Sequence, residues 1–241
     1  KKYFDGKKGV FFDLDGTIID SIPYWKDAFM KVLEEIDYLE EARDTFVERG
    51  SYVSKIWKYI KSMPGVNTDL TIKELTKKTY DAYLELFNNF PMEPRDGFWP
   101  LVGELKEKGF KLALVSNSDM EIVDPVITKL KIKEGIFDLI MTGDQVRKRK
   151  PHPAIYKKTL RKLRLKPKEV LVFEDSVTGS LAAKKAKLET IAIWDVDVVE
   201  REYPRNVKDF LPDFSSFPGN LDTTYLEHAK KGIELLEQET L

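Results

Sequence analysis

The stretch that decides the fold is GVFFDLDGT, residues 9–17. Its first half is almost continuously apolar, which is typical of a strand covered on both faces in a parallel sheet. Asp13 and Asp15 follow directly. Residues two apart on a strand lie on the same face, and Gly16 permits a tight turn directly after the pair, so both carboxylates can face one cavity. Close carboxylates repel one another, so the pair predicts a divalent cation, an acid–base partner, or both. A strand-end turn with two solvated aspartates is the alternative.

Similar apolar runs recur along the chain and alternate with helical patterns. The strands predicted after the first cover residues 111–115, 137–141, 170–173 and 190–194, and the predicted helices cover residues 97–108, 119–130, 153–163 and 177–186. This alternation predicts an α/β fold with a doubly wound parallel sheet. Ligands of such sheets bind beyond the carboxyl ends of the strands. A closing helix is predicted behind the capping pattern of Thr224 and Glu227.

Residues 21–91 break this alternation. They show helical periodicity without a convincing strand, and Thr71 with Glu74 forms a capping-box pattern ahead of the last helix of the stretch. We therefore expect an all-helical cap over residues 21–91. It is inserted into an α/β core that is built from residues 1–20 and 92–241.

Two further predicted strands end in groups that suit an anion. Ser116 and Asn117 follow the second strand, where a hydroxyl and free backbone N–H groups can cradle a phosphate. Both residue types are also ordinary helix caps. Lys150 ends a basic run and precedes a proline, which can hold it inward as a counter-charge. For residues 147–149 of the same run we expect a solvated loop.

The fourth strand ends in an acidic pair, Glu174 and Asp175. Two acids leaving an apolar strand suit a hard cation, which prefers oxygen ligands. The alternative is a polar strand exit in which Asp175 caps the next helix. Four strand ends thus supply carboxylates, a hydroxyl, a cation and carboxylates at the edge where an α/β site belongs.

Composition narrows the class of function. The 40 basic and 41 acidic residues give a net charge of −1, which disfavours a broad nucleic-acid footprint. The absence of cysteine excludes disulfides, thiolate metal sites and cysteine nucleophiles. No apolar stretch is long enough to cross a bilayer, and the first residues lack a signal-peptide pattern. We expect a cytoplasmic protein, a monomer or weak homodimer, with neither nucleic acid nor membrane as partner.

The ordered motifs resemble those of a known family. Residues 13–21, DLDGTIIDS, are similar to the DxDGT first motif of the haloacid-dehalogenase-like hydrolases. Ser116, Lys150 and the Glu174–Asp175 pair match the second, third and fourth motifs in order. The resemblance covers the whole chain and implies a Rossmann-like core with a helical cap, of the helical-cap phosphatase and β-phosphoglucomutase-like branch.

This resemblance assigns roles to the acidic residues. Asp13 would attack phosphorus and form an aspartyl-phosphate. Asp15 would protonate the leaving oxygen and then deprotonate the attacking water. Mg²⁺ would be held by a carboxylate oxygen of Asp13, the backbone carbonyl of Asp15 and Asp175, with Glu174 bound directly or through water.

The resemblance also implies the substrate class. Ser116, the backbone around Asn117 and Lys150 would hold the phosphoryl oxygens. The expected enzyme is a phosphoric monoester hydrolase acting on a small phosphorylated metabolite, such as a sugar phosphate or nucleotide. A hexose-phosphate mutase of the β-phosphoglucomutase type and a catalytically inactive binding protein are the alternatives. Six side chains are candidates to face the substrate, with the core of the cap as the alternative position for each: Tyr24, Trp25, Arg49, Tyr52, Lys55 and Trp57.

Overall fold

The structure, a computed structural model, describes residues 3–38, 50–132, 135–193 and 200–215. Arg49, Trp194 and the helix predicted behind Thr224 lie outside these residues. Among the described residues, no helix combines the length and apolarity needed to cross a membrane.

A six-stranded parallel sheet forms the centre of the described chain. Its strands are β1 (Gly9–Phe12), β2 (Lys111–Val115), β3 (Leu139–Met141), β4 (Val170–Glu174), β5 (Glu189–Ile193) and β6 (Val207–Leu211), in the spatial order β3-β2-β1-β4-β5-β6. The chain fills one side of β1 first and the other side afterwards. The strand order therefore reverses at β1, where ligands of such sheets bind.

Helices cover both faces of this sheet. The described helices are α1 (Ile22–Glu35), α2 (Val53–Ile60), α3 (Ile72–Asn89), α4 (Phe98–Glu107), α5 (Met120–Lys129), α6 (Ala154–Leu163) and α7 (Val177–Lys185). Of these, α4 to α7 cover the sheet, whereas α1 to α3 pack on one another. Successive strand residues point to opposite faces, so Phe12 belongs to one apolar core with α4 and α5, and Phe11 to another with α6 and α7. The predicted doubly wound α/β fold is confirmed.

Helices α1 to α3 occupy the stretch between β1 and α4. Both α1 and α2 pack on α3, and the described part of residues 21–91 contains helices and no strand. The predicted capping box is present, because Thr71 Oγ1 accepts from the Glu74 N–H at 3.2 Å and Glu74 Oε2 accepts from the Thr71 N–H at 2.7 Å. Trp57 is fully buried in this group and donates from Nε1 to Thr79 Oγ1 at 2.8 Å.

Candidate active site

The first motif leaves β1 in a tight turn. Asp13 is buried, and its N–H donates to the Phe173 carbonyl at 3.0 Å, so it still belongs to the sheet. Gly16 has φ +81°, and its N–H donates to the Ile19 carbonyl at 2.8 Å. A Cβ on Gly16 would lie 2.1 Å from Asp175 Oδ2. Glycine is therefore required by the backbone conformation and also by the close approach of the turn to the acidic pair.

Three carboxylates meet beside this turn. Oxygen atoms of Asp13, Glu174 and Asp175 all lie within 4.8 Å of one another, and all three residues are buried. Burial, followed by the Glu174 and Asp175 carboxylates, raises the pKa of Asp13 well above its usual range, and Lys150 opposes this only in part. A divalent cation would relieve the repulsion and lower that pKa. An all-oxygen donor set fits a hard cation such as Mg²⁺.

Lys150 provides the positive charge of the site. Its Nζ donates to Asp13 Oδ1 at 2.6 Å, to Glu174 Oε1 at 2.5 Å and to the Val115 carbonyl at 2.8 Å. Burial by itself would lower the pKa of Lys150, but the Asp13 and Glu174 carboxylates outweigh it and raise the pKa above its ordinary value. The ammonium therefore stays charged, with its three N–H groups on three protein acceptors.

Ser116 and Asn117 form a loop at the end of β2. Neither caps α5, and Ser116 Oγ instead accepts from the Ser118 N–H at 2.9 Å. The Asn117 amide donates to the Gly50 carbonyl at 2.7 Å and accepts from the Lys150 N–H at 3.0 Å. The Asn117 side chain thus joins three chain segments.

Asp15 points toward α1 and the β2 loop. Its Oδ1 accepts from Ser21 Oγ at 2.7 Å and from Trp25 Nε1 at 2.9 Å, and its Oδ2 accepts from Ser118 Oγ at 2.6 Å. Three donors hold the carboxylate in one orientation. Ser21 and Ser118 were not among the predicted site residues, although both lie within or beside quoted motifs.

Glu174 lies deeper than the other acids and is enclosed by donors. Its Oε1 accepts from Lys150 Nζ and from Tyr156 OH at 2.9 Å, and its Oε2 accepts from Ser176 Oγ at 3.1 Å. Ser176 also caps α7, so the alternative in which Asp175 caps that helix is wrong. Tyr156 was missed by sequence reasoning, and the apolar spacing of the predicted helix was the only signal that marked it as buried.

The interpretation of the basic run is confirmed for residues 147–148, which are exposed, and wrong for Arg149. Arg149 pairs with Asp119 at 2.5 Å, donates to the Asn117 carbonyl at 2.7 Å and lies over the Tyr52 ring at 4.8 Å. The reason is that Asp119 stands at the start of α5, directly opposite the loop that leads into Lys150. A carboxylate there pulls the guanidinium out of solvent.

The side chains proposed to face the substrate separate into three groups. Trp57 belongs to the core of the helices through its bond to Thr79. Trp25 and Tyr52 contact residues of the site, through Asp15 and Arg149 respectively. Lys55 is exposed and donates to Ser51 Oγ at 3.3 Å.

Comparison with known proteins shows the family to which this chain is similar. The family model of the haloacid dehalogenase-like hydrolases matches residues 10–193. The phosphoglycolate phosphatase of Aquifex aeolicus (strain VF5) is 34% identical over 203 residues, which cover 81% of this chain and 89% of that protein. Hexitol phosphatase B of Escherichia coli (strain K12) is 27% identical over 76% of this chain and 81% of its own length.

Solved structures show the same fold. The crystal structure of CbbY from Rhodobacter sphaeroides in complex with phosphate superimposes with a TM-score of 0.76 at 24% identity, covering 89% of this chain and 97% of that chain. The family match spans Asp13, Ser116, Lys150, Glu174 and Asp175. On these grounds the chain belongs to the haloacid dehalogenase-like hydrolases.

Proposed function

We propose that this hydrolase is a Mg²⁺-dependent phosphatase that cleaves a small phosphorylated metabolite, a sugar phosphate or nucleotide, through an aspartyl-phosphate on Asp13. The observation that carries the proposal is the position of the Asp13 carboxylate. It is buried at the reversal of strand order, 2.6 Å from the Lys150 ammonium and within 4.8 Å of two further carboxylates. The names of the curated relatives, which are phosphatases, support the same class of reaction.

The metal would be held by the acids that crowd one another. Asp13 and Asp175 would supply carboxylate oxygens, and we assign a further ligand to the backbone carbonyl of Asp15, in the turn that contains Gly16. Glu174 already has donors on both oxygens, so we assign it contact through water and the role of counter-ion to Lys150. Bound Mg²⁺ would neutralise the carboxylates and the phosphoryl oxygens.

Asp13 and Asp15 carry out the covalent steps. A carboxylate oxygen of Asp13 forms a bond to phosphorus as the ester P–O bond breaks, and Asp15 gives its proton to the leaving oxygen. Asp15 then takes a proton from the water that attacks phosphorus. The acyl-phosphate bond breaks, inorganic phosphate leaves, and the Asp13 carboxylate is restored.

The phosphoryl oxygens need donors while their charge redistributes. Ser116 Oγ and the backbone N–H of Asn117 lie on the β2 loop beside Asp13, where they can supply them. Lys150 supplies fixed positive charge. Because all three of its N–H groups are already used, a phosphoryl oxygen would bond to it only by replacing one of these acceptors.

We assign residues 21–91 to a cap over this site, on a core of residues 1–20 and 92–241. Two contacts support the assignment. Trp25 reaches Asp15 from α1, and the Gly50 carbonyl accepts from the Asn117 amide. A cap in this position would exclude water from the reacting phosphorus and select the substrate by the shape of its leaving group.

A screen of phosphate release over a panel of metabolites, with p-nitrophenyl phosphate as general substrate, tests the proposal. Asp13→Asn should abolish turnover, whereas Asp27→Asn, which alters an exposed aspartate of α1, should retain it. Chelator should silence the wild type and Mg²⁺ should restore it. More than a few per cent of activity in Asp13→Asn would rule out the nucleophile, and activity that requires a sugar bisphosphate would identify a mutase instead.

A further inference from the structure

A buried phenol hydroxyl lies behind the charges of the proposed site and has no role in the steps above. Tyr156 is the third residue of α6, and its side chain is fully buried. Its hydroxyl donates to Glu174 Oε1 at 2.9 Å. Burial, followed by the Glu174 carboxylate, raises the pKa of Tyr156, so the hydroxyl keeps the proton that it donates.

Tyr156 contacts both members of the ion pair that supports Asp13. Glu174 Oε1, which accepts its hydroxyl, also accepts from Lys150 Nζ at 2.5 Å. The Lys150 Nζ lies 5.2 Å from the centroid of the tyrosine ring, within range of a cation–π contact. The same ammonium bonds to Asp13 Oδ1.

The shared oxygen makes the position of the ammonium depend on the hydroxyl. A buried carboxylate oxygen that loses a donor is left under-solvated, and in a dry site it draws more strongly on its remaining donor. Without the hydroxyl, Glu174 Oε1 would therefore pull Lys150 toward itself and away from Asp13. Ser176 holds the other oxygen of Glu174 at 3.1 Å and cannot take over this role.

We propose that Tyr156 is a positioning residue whose hydroxyl shares Glu174 Oε1 with Lys150 and thereby keeps the lysine ammonium on Asp13. The inference rests on the proposed function, in which Asp13 attacks phosphorus. In this role the Tyr156 side chain aligns the nucleophile in addition to packing in the core.

Steady-state kinetics of Tyr156→Phe test the proposal, with Tyr38→Phe as the matched control. Tyr38 is also a buried tyrosine, 4% exposed, and its hydroxyl donates to the Pro64 carbonyl at 3.1 Å in the helices between β1 and α4. We expect kcat of Tyr156→Phe to fall about 10- to 100-fold, the scale of a small misplacement of reacting groups, with KM within about twofold. Tyr38→Phe should keep both constants, measured where all the proteins are folded.

A second measurement reports the position of the ammonium without using activity. In protein labelled with ¹⁵N-lysine, the buried Lys150 ammonium should give an exchange-protected signal, assigned by its loss in Lys150→Arg. This signal should shift or broaden in Tyr156→Phe and stay unchanged in Tyr38→Phe. Should Tyr156→Phe fail to fold, Tyr156→Met removes the hydroxyl while a flexible apolar chain fills the space.

The outcomes separate the two proposals. A wild type that hydrolyses no phosphate ester refutes the proposed function, and the lysine signal then decides alone whether Tyr156 holds Lys150. An active wild type with an unchanged lysine signal and unchanged kcat in the Tyr156 variant refutes the positioning role and leaves the phosphatase intact. A raised KM with unchanged kcat overturns it as well.

Discussion

Asp13→Asn should inactivate the protein and at the same time stabilise its metal-free form. The substitution removes one of three clustered buried carboxylates, two of which contact the single ammonium of Lys150. Asparagine has nearly the same shape, and its side-chain carbonyl can still accept from Lys150. What changes is the charge, because the excess of negative charge at the site falls from two to one.

The balance of forces can be estimated from the distances. At an effective dielectric constant of about 20, two unit charges 4.8 Å apart interact by about 3.5 kcal/mol. The repulsion of Asp13 by Glu174 and Asp175 is therefore about 7 kcal/mol or more, and its attraction to Lys150 at 2.6 Å is about 6 kcal/mol. These two contributions nearly cancel, so the cost of burying the Asp13 charge decides whether Asp13→Asn raises or lowers the free energy of unfolding. We expect a gain of about 1–2 kcal/mol, or roughly 2–8 °C in Tm for a chain of this length.

Thermal unfolding in EDTA and in saturating Mg²⁺ is the assay. In EDTA, Asp13→Asn should melt above the wild type, and the exposed-site control Asp27→Asn should match the wild type. At a Mg²⁺ concentration 100 times Kd, the free energy of unfolding of the wild type should rise by about 2.7 kcal/mol, and that of the variant should rise by less. The difference in Tm between the two proteins should therefore shrink or change sign. A variant that melts below the wild type in EDTA would show that the attraction to Lys150 dominates, and the charge argument would be wrong.

Three further substitutions test single features of the fold. Gly16→Ala should cost about 1–3 kcal/mol in urea unfolding and lower kcat at least about 10-fold, because its Cβ would lie 2.1 Å from Asp175 Oδ2; wild-type activity would contradict the close approach. Thr71→Ala removes the N-cap of α3 and should cost about 1 kcal/mol, seen as a fall of about 2–4 °C in Tm with activity retained. Trp57→Phe loses the buried bond to Thr79 and should cost about 1–3 kcal/mol in the same melt; an unchanged Tm would contradict this packing.

The sequence was sufficient to predict the positions of the strands that are apolar on both faces. The described parts of the first five strands lie within two residues of their predicted bounds, because continuous apolar runs have few other uses in a soluble chain. β6 was not predicted. It lies at the edge of the sheet and carries the charged residues Lys208 and Asp209. These residues interrupt the apolar run, so the sequence of this segment is typical of a loop. Its place is set by pairing with β5, a tertiary contact without a local signal.

The charged groups of the site were also predictable, and their partners were not. Asp13, Lys150 and Glu174 follow strand ends, and the edge of a parallel sheet brings such residues together. Tyr156 and Ser118 reach the site from a helix and a loop whose orientation is fixed by packing. A sequence can mark such residues as buried or polar, but which oxygen each one meets depends on the angle between elements.

The register of the sheet explains why so few residues suffice to build this centre. Phe12 is level with Leu114 on one side and with Phe173 on the other. One residue further along, Asp13, Val115 and Glu174 therefore form a row across three strand ends, and these three residues supply the acceptors of the Lys150 ammonium.

That register is held by packing rather than by the charges. Phe11 and Phe12 belong to cores on opposite faces of the sheet, so a slip of β1 by one residue would exchange the two cores. The same slip would move Asp13 out of the row. Packing of the two apolar cores therefore fixes the register of β1 despite the repulsion among the buried carboxylates. Because β1 cannot shift, the repulsion is lowered by binding a cation.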